Sequence, residues 1–211
     1  MNGRDYFHGH AKLRSARRNM YSQFGEDGVV DFILAAIGTD NHFAFECGGA
    51  DGVMFSNTRR LLGRAWNVAM AEADAAYEPA LKRLAEKYPH FFQFSITTLP
   101  PHRLDDCLDG FGSPPCPALV CLDIDGLDWH LWNGMIRHFP RVVVIEHSFD
   151  PAWDDRIPDL DEPTLGQAGP HAIMRLAASK GYDVVARTLT NSICVRADLM
   201  PAFNQALEQK T

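Results

Sequence analysis

Apolar residues along the chain follow two alternating rhythms. In residues 25–37 (GEDGVVDFILAAI), Val30, Ile33, Leu34 and Ile37 recur at helical spacing, and Gly38 supplies a stop. Residues 42–47 (HFAFEC) instead form a short unbroken run, the pattern of a buried strand ending at a glycine turn. Residues 56–64 (SNTRRLLGR) predict a helix capped by Ser56 or Asn57. A strand at 67–71, a helix at 78–87 and a strand at 91–96 follow. The clearest buried strands are 118–123 (ALVCLD) and 141–146 (RVVVIE), each an apolar run ending in an acid. Residues 169–180 carry an amphipathic helix pattern, and 182–186 with 191–196 predict a closing antiparallel pair.

Seven strand-like runs separated by helical ones predict one α/β domain over residues 21–211. Its sheet is mostly parallel and seven-stranded, with the antiparallel pair at its C-terminal end and helices on both faces. Ligands in such folds bind beyond the carboxyl ends of the strands. Four of those ends carry acids: Glu46 opens ECGGADG, Glu72 opens EAD, Asp123 opens DIDG, and Glu146 precedes His147.

Charge and cysteine usage narrow the partners. A formal net charge of −7 disfavours a nucleic-acid face. The basic cluster of Lys12, Arg14, Arg17 and Arg18 falls in residues 1–20, and reads as a solvated arm. No apolar run is long enough to span a membrane, and residues 1–19 show no apolar signal segment. The five scattered cysteines suit reduced thiols and a cytoplasmic setting.

The ECGGADG turn is not the GxGxxG dinucleotide fingerprint. Gly48 and Gly52 let the backbone approach a ligand, whereas Glu46 and Asp51 would repel a pyrophosphate. The acids suit a cationic, phosphate-free nucleoside such as S-adenosylmethionine (SAM). Asn57, at the start of the following helix, joins this cofactor set. Glu72 falls at the offset usual for ribose recognition, with Asp74 a weaker candidate; the alternative is that both acids only order the strand end.

Five segments taken together resemble the FkbM-type SAM-dependent methyltransferases: YSQFGEDGVVDFIL, FECGGADGVMFSNTRRLL, LDIDGLDWHLW, RVVVIEH and HAIMRLAASKGYDVV. They occur in that family's order across residues 21–199. The resemblance implies a Rossmann-like methyltransferase fold, SAM as donor, and O-methylation of a sugar or other metabolite. It also implies that Gln23 helps to close the cofactor pocket. Glu26 and Asp27, in the same segment, have a second reading as first-turn acids that complement the helix dipole. His130 and His147 depart from the family's pattern where substrate would lie, so its acceptor does not carry over.

Methylating an alcohol requires its proton to be removed, by a general base or with the help of a bound cation. DIDG follows the fourth expected strand, where enzymes that methylate nitrogen often carry [DN]PP[YF], and this favours oxygen. Asp123 and Asp125, at extended spacing, point the same way. With Glu146 and His147 they predict a reaction centre: Asp123, Glu146 and His147 as ligands of Mg²⁺ or another divalent cation, and Asp125, His147 and His130 as catalytic groups. The plain alternative has the aspartates capping the turn, Glu146 paired to an arginine, His130 on the surface, and Trp129 and Trp132 packing. Residues 149–170, rich in proline and aspartate, read as a binding loop or a disordered connection. The chain's small size leaves room for a second copy to complete the small-molecule acceptor's pocket. LVCLDIDG also resembles the aspartyl-nucleophile motif of haloacid-dehalogenase-type phosphatases, although Leu127 replaces its threonine. A non-catalytic SAM-binding module is the remaining alternative.

Overall fold

The computed structural model describes residues 6–161 and 166–209. Five strands form a parallel array: β2 (Phe43–Cys47), β3 (Asn67–Glu72), β4 (Phe92–Ile96), β5 (Leu119–Leu122) and β6 (Val142–Glu146). β8 (Asn191–Arg196) lies antiparallel between β6 and β7 (Tyr182–Arg187). The lateral order is β1-β7-β8-β6-β5-β2-β3-β4, where β1 is the two-residue strand His8–Gly9. All seven expected strands are present, and the sheet gains an eighth.

That eighth strand corrects the reading of a solvated basic arm. β1 pairs antiparallel with β7, and α1 (Ala11–Ala16) buries Leu13 completely against α2 (Glu26–Ile37). Arg14 and Arg17 both stack over the Phe7 ring, at 5.3 and 5.1 Å, and donate to the carbonyls of Phe7 and Phe24. Long basic side chains here cover apolar surface instead of extending into water. Residues 1–5 of the arm lie outside the described residues.

Alternation along each strand divides the core into two layers. On one face Ala44, Val68, Met70, Leu119 and Val144 meet α2, α3 (Arg59–Leu62), α4 (Glu78–Lys87) and α8 (Met200–Glu208). On the other, Phe45, Val120, Leu122 and Ile145 meet α5 (Leu104–Gly110), α6 (Asp128–Gly134) and α7 (Pro170–Ser179). Strands covered on both faces read as continuous apolar runs, which made β5 and β6 conspicuous. Each large apolar side chain so buried contributes roughly 1.5–3 kcal/mol. No helix among the described residues is long and apolar enough to cross a membrane.

Two acids of α2 act beyond its dipole. Asp27 Oδ2 accepts the backbone N–H groups of Met20, Tyr21 and Ser22, and its Oδ1 stands 3.6 Å from the buried Arg60. Glu26, fully buried, accepts from the Thr188 hydroxyl at 2.6 Å and from Asn191 at 3.3 Å. It ties the segment before α2 to the β7–β8 hairpin.

Gly28 sets how closely α1 approaches. A Cβ there would stand 1.8 Å from the Ala16 carbonyl oxygen, which belongs to rigid backbone. Gly28→Ala should therefore destabilise the chain by about 1–3 kcal/mol through overpacking, read as a lower urea midpoint. An unchanged midpoint would show that the N-terminal segment is not docked as described.

Candidate active site

The carboxyl ends of β2, β3, β4 and β5 open onto one cavity of about 430 Å³. Its floor is the glycine turn. Gly48 adopts φ +78°, donates its N–H to the Ala71 carbonyl, and lies so near β5 that a Cβ would meet the Asp123 carbonyl at 1.7 Å. Gly52, at φ +72°, closes the turn by donating to the Gly49 carbonyl, and packs beside Leu81 and Leu84. Protein packing alone therefore requires these glycines; closeness to a ligand is a second consequence.

Of the residues expected to bind cofactor, Gly48 and Glu72 line this cavity. Glu72, 7% exposed, accepts the Ala50 N–H at 2.8 Å on one oxygen and the Asp74 N–H at 2.9 Å on the other. A carboxylate oxygen has more than one lone-pair direction, so Glu72 retains acceptor capacity toward the cavity. Asp74 stands on the rim, where it also caps Ala76.

Glu46 does not face the cavity. Its carboxylate accepts from the Ser56 hydroxyl (2.5 Å), the Thr58 hydroxyl (2.6 Å) and the Asn57 N–H (2.6 Å), at 2% exposure. Strand parity places it on the same side as Ala44, where burial raises its pKa. It fastens β2 to the approach to α3, and this clasp draws residues 56–58 out of the expected helix. Asn57 contributes its backbone to the clasp, with its side chain buried away from the cavity. Asp51 accepts the Val53 and Met54 N–H groups and closes the turn. Gln23 is exposed, and the carbonyl of that residue receives Asn19.

At the cavity's edge, ligand oxygens of Asp123, Asp125 and Glu146 lie within 4.8 Å of one another. They converge through a turn and not, as spacing suggested, through an extended strand. β5 ends at Leu122, and Asp125 adopts φ +57°. Asp128, fully buried at the start of α6, holds this turn by accepting the N–H groups of Ile124 (2.8 Å) and Gly126 (3.2 Å). Gln167 donates to Glu146 at 2.9 Å. Sequence reasoning missed both. Asp128 belonged to a recognisable turn pattern, whereas Gln167 is a lone polar residue in a long connection.

Burial, followed by repulsion from the neighbouring acids, lifts Asp123 and Glu146 well above the usual carboxylate range, Glu146 furthest. Burial lifts Asp128 to about 6. The three carboxylates together offer oxygen donors suited to a hard cation.

His147 is not part of this set. Neighbouring residues at a strand end face opposite sides, and His147 turns to Ser192, its Nδ1 3.1 Å from the hydroxyl. It lines a separate cavity of about 260 Å³. Burial, with help from Arg187 and His8, lowers its pKa to about 4. His130 is likewise away from the acids: its Nε2 lies 2.7 Å from the Pro158 carbonyl, and it anchors the following loop. That loop is ordered by Trp153, which stacks with Arg156 at 4.1 Å and against which Gly166 packs. Residues 162–165 of the expected binding loop lie outside the described residues. Trp132 is fully buried, as a packing residue.

No family model and no curated protein matches the chain. Among solved structures it is similar to a proposed O-methyltransferase from Klebsiella pneumoniae, at 11% identity and a TM-score of 0.53, covering 87% of this chain and 86% of that one. It is also similar to a proposed RNA methyltransferase from Pyrococcus horikoshii, at 11% identity and TM-score 0.51, covering 82% and 83%. An O-methyltransferase family protein from Burkholderia thailandensis gives 12% and 0.51, covering 82% of this chain and 58% of that one. The fold is that of the Rossmann-like methyltransferases.

The raised acids fix the sign of a pH effect. The folded chain retains protons that the unfolded chain has released, so stability falls as pH rises through that range. His147, held neutral, acts oppositely only below its unfolded value near 6.5. Urea unfolding between about pH 7 and 9 should show declining stability, with a shallower decline in Glu146→Gln. Equal slopes would mean that Glu146 is ionised throughout.

Proposed function

We propose that the chain is a SAM-dependent O-methyltransferase that acts on a hydroxyl group of a small molecule, with one divalent cation held by Asp123, Asp125 and Glu146. The observation that carries this reading is the junction of two sites. Asp123 and Asp125 belong both to the acid cluster and to the wall of the cavity containing Gly48 and Glu72.

The residues present fit SAM. The cavity falls in the usual size range for small-molecule sites, and Tyr77 and Leu99 give it apolar wall beside the carboxylates of Glu72 and Asp74. Acids without basic partners there favour a positively charged nucleoside and oppose a pyrophosphate. The FkbM-like order of motifs supports the same donor. When bound, SAM supplies a methyl group activated by a positive sulfur.

The chain's own residues then position the acceptor. Glu72 would accept the donor's ribose hydroxyls, in a cavity whose floor is the Gly48 turn. Asp123 and Glu146, with one oxygen of Asp125, would hold the cation, which would polarise the acceptor oxygen and lower its pKa. Asp125, the exposed member of the cluster, receives the acceptor's proton. Gln167 and Asp128 are positioning residues. The aspartyl-nucleophile alternative fares worse, because Leu127 stands where that motif carries threonine and the motif falls past the midpoint of the chain.

Calorimetry with SAM and its demethylated product should show binding, weakened about tenfold or more in Glu72→Ala through loss of a charged hydrogen-bond acceptor. Asp125→Asn should retain SAM binding and lose turnover on hydroxyl acceptors. A dinucleotide binding in place of SAM would overturn the donor assignment, and SAM binding without turnover across an acceptor panel would make the chain a binding module. Separately, Mg²⁺ should raise the melting temperature more at about pH 8 than at about pH 5, since it engages the ionised carboxylates. Asp123→Asn should abolish that increment; an increment that persists places the cation elsewhere.

A further inference from the structure

Beyond Glu146, on the side away from the cofactor cavity, lies the second cavity of about 260 Å³. Its walls are Tyr6 and His8 of the docked N-terminal segment, the chain following β6, the start of α7, and the β7–β8 hairpin. It belongs to the same carboxyl edge of the sheet, because β7 runs parallel to β6 with β8 between them. The sequence pattern gave it no role.

Its charged and titratable groups are of both signs. His8, His147, His171 and Arg187 line it together with Asp150 and Asp154. Each acid has a local contact: Asp150 Oδ1 accepts the Ala152 N–H at 2.9 Å, and Asp154 stands 2.9 Å from His171 Nδ1. Arg187, half-buried, has no acid within ion-pair distance among the described residues. His8 sits directly across from Arg187 in the antiparallel register. Ser192, which holds His147 by Nδ1, pairs with Arg187 across the sheet on its other side. That leaves His147 Nε2, in a ring only 4% exposed, without a partner among the described residues. A partly desolvated guanidinium beside two imidazoles is costly unless an anion meets it.

We propose that this cavity is the anion subsite of the methyl acceptor: a carboxylate or phosphate on the acceptor pairs with Arg187 and accepts hydrogen bonds from His8 and His147. The proposal rests on the methyltransferase reading and adds the acceptor's chemical class to it. Planar guanidinium matches either anion through two parallel hydrogen bonds. His147, held at Nδ1 by the Ser192 hydroxyl, offers its other ring nitrogen to the anion. The strand containing Arg187 is two inter-strand spacings, about 10 Å, from that of Glu146, so the anion and the methylated hydroxyl stand at least about that far apart. The acceptor is thus a small hydroxy acid or phosphorylated hydroxy compound. The cavity's size and the chain's charge of −7 disfavour a polyanion.

The test uses the full chain at low chloride, titrated with inorganic phosphate and with acetate and followed by NMR of its arginine and histidine side chains. At least one anion should bind, with shifts at Arg187 and His147. Arg187→Met should weaken that binding about tenfold, the loss of a charge-assisted contact, while its SAM affinity and melting temperature remain those of the wild type. Arg187→Lys, which retains charge without the fork, should fall between the two and guards against misfolding of the first variant. Absence of binding by both anions, or binding indifferent to Arg187, overturns the proposal. Arg187-dependent anion binding in a chain that binds no SAM would sustain the anion site and overturn the methyltransferase reading alone.

Discussion

Carboxyl groups crowded at one sheet edge set the terms for the rest of this molecule. Asp123, Asp125 and Glu146 converge within 4.8 Å, with Asp128 buried beneath them. Close negative charges in a partly desolvated site repel strongly, so the cluster persists with protons, with a cation, or with both at different pH. Gln167 brings one amide donor to Glu146, and no arginine or lysine joins the three carboxylates in an ion pair among the described residues.

The acids that look similar in sequence fall into two kinds. Glu46, Asp27 and Asp128 are struts, each accepting backbone N–H groups or hydroxyls of its own chain. Glu72 and Asp125 stand at a cavity wall. The struts are what make the wall rigid: Glu46 fixes the start of α3 under the glycine turn, and Asp128 holds the turn that presents Asp125. Catalytic geometry of this sort needs supporting hydrogen bonds as much as reacting groups.

The N-terminal segment changes the picture of the other half of the edge. Through β1 and the Arg14–Phe7–Arg17 stack it wraps the β7–β8 hairpin and forms one wall of the Arg187 cavity. Glu26 reinforces this by joining the loop before α2 to Thr188 and Asn191. A basic, polar stretch thus becomes part of a ligand-sized enclosure, because its arginines cover an apolar ring.

Local pattern determined the elements. Apolar runs and helical spacing located β2 to β8, α2, α4 and α7 to within about two residues, since burial on one or both faces imposes the period directly. α5 and α8 went unrecognised: α5 is short and dense in aspartate, and α8 shows its apolar face only once Phe203 has a partner. Pattern also placed acids at the strand ends, and that brought Glu72, Asp123, Asp125 and Glu146 to one region. Tertiary structure alone decided which of them faces a ligand. The direction of Glu46, the separation of His147 from Glu146 and the assembly of the Arg187 cavity depend on partners 10 or more positions away in sequence. No local period encodes contacts of that range.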